Sequence, residues 1–240
     1  RELNIDLFRD LWQALTSEIS DALLKEGSVT GNLAATMAAN ARLSPITANV
    51  VDYFMAVLVR QQTVVQQAIG TNMFTGQAVS VEAPFWMSIA KQLDISPEQM
   101  KDFVALQGIC GACHHKNLIE REILKERLER AMIGNQSQAN KLMQDRKYVD
   151  TFQTTACLAR NLRQLNTMQV LASFMTLKLL TPLQICKLTV LSMPVFPNLK
   201  ALLMVIGSQC PAEAAEQAEC PLKSDPLPLE EAVDKWGLGF

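Results

Sequence analysis

The sequence predicts an all-α protein: a multi-helix, orthogonal or bundle-like domain followed by an extended C-terminal tail. Three observations carry that expectation. Apolar residues recur at spacings of three and four along most of the chain. Helix-start signals of the Ser/Thr-Pro type punctuate it at Ser44-Pro45, Ser96-Pro97 and Thr181-Pro182. The apolar/polar alternation of a half-buried strand is sustained nowhere.

From Leu3 to Lys25, Leu3, Leu7, Leu11 and Leu15 join Phe8, Trp12, Ile19 and Leu23 on one wide helical face, and Gly27 follows as a stop. The small-residue segment NLAATMAANA then leads to Ser44-Pro45. Ser as N-cap and Pro at the first helical position predict a helix start there, because Pro has no N–H to lose in the first turn. The helix from Ile46 to about Ile69 carries Val50, Val51, Phe54, Val57, Leu58 and Val65, and ends before Gly70. Residues 70–84, GTNMFTGQAVSVEAP, hold two Gly and a Pro and predict a loop, where a helical domain over 1–207 would subdivide.

The segment PFWMSIAKQL resumes helix, and Ser96 and Gln99 stand at capping-box spacing to open another that runs to about Met132, before Gly134-Asn135. Gln138 to Leu180 predicts one long helix, or two with a bend. Thr181-Pro182-Leu183-Gln184 repeats the start grammar, and that helix ends near Met193-Pro194. A short last helix in VFPNLKALLMVIG closes at Gly207. Residues 208–240 change character, with four of the ten Pro, acidic residues and few large apolar side chains. They predict an extended tail, with Leu229 to Trp236 as a final helical turn and Trp236 and Phe240 as hydrophobic anchors on a partner.

Composition narrows the function. With 22 Lys+Arg against 24 Asp+Glu there is no global charge to draw the chain to nucleic acid or to an anionic membrane. The basic residues at 116, 121, 125, 127 and 130 are interleaved with Glu, so nucleic-acid binding by this chain alone is not expected. Apolar residues reach 49% and charged residues only 19%, which predicts buried contact with other protein subunits. No run is long and apolar enough for a transmembrane helix, leaving a soluble chain or peripheral membrane association. The chain opens on Arg1, as a fragment or a product matured by removal of a targeting segment would, and the latter favours an organelle, mitochondrion or chloroplast, over the nucleus.

The stretch QGICGACHHKN contains Cys110, Cys113 and His114 in the C-x-x-C-H order of covalent haem c attachment. These residues fall inside a helix, in line with Phe103 and Leu106, where two buried thiols on a core face are the expected use. Haem c stays as the remote alternative, because no second axial ligand is indicated among eleven Met and the adjacent His115 cannot reach the opposite ring face. No metal site is expected, since Cys and His from one helix cannot surround a tetrahedral ion and no second C-x-x-C follows. No catalytic residues are assigned: the two His are adjacent, and no nucleophile elbow, P-loop or dinucleotide fingerprint occurs. Glu126 and Arg130, at i and i+4, fit a solvated helix face, while Ile119, Ile123, Leu124 and Leu128 form a short apolar seam expected to meet a neighbouring helix of the same chain.

The order of PFWMSIAKQLDISPEQMKDFVAL (84–106), EREILKERLERAM (120–132) and LLTPLQICKLTVLSMPVFPNLKALLMVI (179–206) resembles the region downstream of the zipper in green-algal basic leucine-zipper transcription-factor-like proteins. No basic region and no long leucine heptad array precede Phe85. The resemblance therefore implies a helical accessory domain of interaction type, from a green-lineage alga, without the DNA-binding half. The expected function is a non-catalytic protein–protein interaction module, an accessory or structural subunit of a larger organellar assembly. The alternative is the regulatory, partner-binding domain of a leucine-zipper-like factor, and the remote one an electron-transfer protein.

Overall fold

The computed structural model describes residues 3–26, 33–133 and 141–208. The fold is all-α, with eight helices among the described residues: α1 (Ile5–Glu26), α2 (Leu33–Arg60), α3 (Gln62–Ile69), α4 (Ala83–Gln92), α5 (Pro97–Ile133), α6 (Lys141–Leu179), α7 (Pro182–Leu191) and α8 (Leu199–Ser208). The expected tail, with Trp236 and Phe240, lies outside the described residues, as do Gly134-Asn135.

Two start signals act as the sequence predicts. The Thr181 hydroxyl accepts from Gln184 N–H while the Gln184 side chain accepts from Thr181 N–H, and Ser96 and Gln99 make the same reciprocal pair at 3.2 and 3.0 Å. The third does not. Ser44-Pro45 lies inside α2, which begins at Leu33. The alanine-rich segment before it has the highest intrinsic helix propensity, and one proline removes only its own hydrogen bond to the carbonyl four residues back. The expected continuity from Ile46 to Ile69 is broken instead at Gln61, whose φ of −140° and ψ of 56° turn the chain into α3. Gln61 N–H still closes α2 on Val57 O at 2.7 Å. The turn lets α3 bury Val64, Val65 and Ala68 in the core.

The core is aromatic at its centre. Phe196 packs against Trp12, Phe8 and Phe54, with ring centroids 4.5, 5.2 and 5.4 Å apart. Around this cluster α7 lies against α1 and α2. Because α7 is covered on several sides it is apolar nearly all round, with Leu183, Ile185, Cys186 and Leu188 buried. Loop 70–82 is tied into the same core: Met73 is fully buried, its N–H donates to Pro194 O at 2.6 Å, and its carbonyl accepts from the Gln13 side chain. Gly76 turns the loop at a φ of 72°, where a side chain would also meet Arg9.

α5 and α6, each about 55 Å long at 1.5 Å per residue, pack against each other more extensively than any other pair of elements. Arg127 pairs with Asp150, Asn117 with Asn161, and Gln99 with the end of α6 at Leu179, so the partner number falls as the α5 number rises and the pair is antiparallel. Leu124 is buried along this seam with Ile119, Ile123 and Leu128 half-buried, which makes α6 the neighbour the apolar seam needs. Gln138 to Leu180 was open between one helix and two; from Lys141 it is one. No single helix among the described residues is long and apolar enough to cross a membrane.

Candidate functional site

Midway along α5 the sequence loses its acids: from Phe103 to Ile119 there is no Asp or Glu. α6 and the chain that follows it do the same from Thr151 to Ala212. The fold brings these acid-free stretches together, because α8 lies against both α5 and α6. Gly207 stands beside the Gln107 side chain, and Lys200 is near enough to His114 to perturb it, so α8 runs along α5 in the opposite direction.

The three helices line a half-open hollow of about 430 Å³. Leu165, Met168, Ala172, Leu199 and Leu203 give it apolar walls, and Gln107, His114, His115 and Lys200 stand among its polar lining. Thr176, 1% exposed, belongs to the same wall and its hydroxyl has no hydrogen-bond partner among the described residues. A second, more open hollow of about 810 Å³ lies further along the α5–α6 seam, lined by Cys113, Lys116, Cys157, Arg160 and Arg163 among others.

Cys110, Cys113 and His114 are therefore placed but not gathered. Cys110 and His114 line the smaller hollow, and Cys113 the more open one. Both thiols are half-buried, where the apolar stripe predicts full burial: Phe103 is in the core, but Leu106, Cys110 and Cys113 further along the same stripe are each only half-covered. Burial pushes the Cys110 thiol above its ordinary value, with Cys113 adding to it, and burial lowers His114, helped by Lys200 and then Arg121. A thiolate–imidazolium pair needs both shifts in the opposite sense. Among the described residues no three His, Cys, Asp or Glu stand together as a metal-holding group.

Between the two hollows a polar network fastens α5 to α6. Asn161, fully buried, donates to Asn117 O at 3.0 Å and to Glu120 Oε2 at 2.7 Å, and Arg160 reaches Glu120 Oε1 at 3.8 Å. Asn117 in turn donates to Cys113 O at 2.9 Å, and Arg121 Nε to Asn161 Oδ1 at 3.4 Å. Sequence reasoning missed Asn161, Arg160, Thr176 and Lys200. The long absence of acids could have pointed to Lys200, a cation with no carboxylate in its own stretch, but no local signal marks Asn161, Arg160 or Thr176.

Set against known proteins, the chain matches no family model, no curated protein and no solved structure.

Proposed function

We infer that the chain is a non-catalytic helical protein–protein interaction module, an accessory or structural subunit of a larger organellar assembly. The observation that carries this is on α6, where Tyr148 and Phe152 are 72% and 76% exposed and, with Leu162, fall on one face at helical spacing. Aromatic side chains of that size are the residues that anchor protein interfaces, and a long helix pair holds them well away from the aromatic core. The composition supports the same use, because 19% charged residues leave little polar cover for an unaccompanied chain.

The test is gentle isolation of the tagged native chain from its own cells, beside a Tyr148→Glu/Phe152→Glu variant, with companions counted by quantitative mass spectrometry. A stoichiometric set of subunits that the variant loses, while its circular dichroism is unchanged, is the expected result. A wild-type chain that travels alone, or a set the variant keeps, rejects the interface. Companions bound to DNA would place the chain as the regulatory domain of a leucine-zipper-like factor instead.

A further inference from the structure

We propose that the half-open hollow between α5, α6 and α8 binds a long-chain carboxylate, its alkyl chain along Leu165, Met168, Ala172 and Leu203 and its headgroup at the end held by Lys200 and His114. Size is the first argument: about 430 Å³ lies within the range of small-molecule sites. The walls supply the second. An alkyl chain in water gains by burial against them, and the half-buried Met168 and Cys110 are soft, adaptable side chains that fit an irregular apolar guest.

Charge selects the headgroup. Among the described residues lining this hollow there is no Asp or Glu, while Lys200 stands there with His114 and His115. A neutral or cationic amphiphile finds the same walls but no partner for its head, whereas a carboxylate meets an ammonium with no competing acid on the lining. Burial lowers His114 most, and Lys200 and then Arg121 act on it in the same direction, as a positive end of the hollow requires. The buried Thr176 hydroxyl, without a partner among the described residues, leaves the same wall with unused hydrogen-bonding capacity.

Calorimetric titration of the full 240-residue chain with sodium dodecanoate below its micellar concentration tests the site, with dodecanol and dodecyltrimethylammonium as controls. Saturable one-to-one binding of dodecanoate, at least about tenfold tighter than either control, is expected, because only the carboxylate pairs with the Lys200 ammonium. Lys200→Glu, at an exposed position, should weaken dodecanoate by about tenfold or more while sparing dodecanol. Ala172→Trp should abolish binding of both by filling the hollow. If Ala172→Trp does not fold, the Lys200→Glu result decides alone. Equal affinity for all three amphiphiles, an undiminished Lys200→Glu, or no saturable binding because another segment of protein already fills the hollow would each overturn the proposal.

Discussion

The aromatic body and the α5–α6 hairpin are both helical, yet they are held by different forces. In the body, Phe8, Trp12, Phe54 and Phe196 meet in one close-packed cluster, and α7 is wrapped on several sides. Its stability is a matter of volume filled and apolar area removed from water. Along the hairpin few side chains are fully buried. Its register is marked by polar contacts, Asn161 with Asn117 and the nearly buried Glu120, and Arg127 with Asp150, which match turns of α5 to turns of α6. A packed body tolerates a lost polar contact and suffers from a cavity, and the hairpin should do the reverse.

The largest expected effect breaks the body. Phe196→Ala removes the ring shared by three others and should cost about 3–5 kcal/mol in urea unfolding. A loss below about 1 kcal/mol would mean the cluster is not what holds the helices together. Next, Asn161→Ala strips the buried face of Glu120 of its donor and should cost about 1–3 kcal/mol. Hydrogen exchange should rise in the middle of α5 and α6 and stay unchanged around Phe196; a uniform rise would erase the distinction between the two regions.

At the joint between them, Thr181→Ala should cost about 1 kcal/mol through loss of the α7 cap. The effect reaches further than one helix, because the Gln184 that completes this cap is bonded reciprocally to Gln99, which completes the cap of α5, at 2.8 and 3.0 Å. A double substitution of Thr181 and Ser96 by Ala should therefore depart from the sum of the single losses. Strict additivity would show two independent caps.

The last effect appears only at alkaline pH. Burial raises the Cys186 thiol to about 11, above the ~8.5 of an unfolded cysteine. Below the unfolded value both states hold the proton. As pH climbs between the two values the unfolded chain sheds it first, so the thiol's contribution is lost as pH rises toward the folded value. Wild type should weaken more steeply than Cys186→Ala across that alkaline window; parallel curves would mean the thiol is not held dry.

Helix class, most helix boundaries and two of three caps were legible in the sequence, because periodicity and capping are local: Ser96 and Gln99, or Thr181 and Gln184, are three residues apart. Ser44-Pro45 carries the same grammar and was misread, since alanines upstream can carry a helix through a proline when the neighbouring turns already hold. The cysteine motif was visible, but its division between two hollows was not. Which side of a half-buried helix faces which neighbour depends on crossing angles that no single segment encodes.

What the sequence determined by itself is therefore the set of helices, the apolar faces they must hide, and the long acid-free run whose cations have no carboxylates of their own stretch to pair with. Only the tertiary structure decided that Gln99 and Gln184, 85 residues apart, cap two helices as one unit, that Asn161 marks the hairpin's register, and that α8 completes a hollow beside His114 and Thr176. The physical reason is range. Hydrogen bonds within a turn follow from adjacent residues, whereas a buried network or a hollow between helices exists only after distant apolar faces have been driven together.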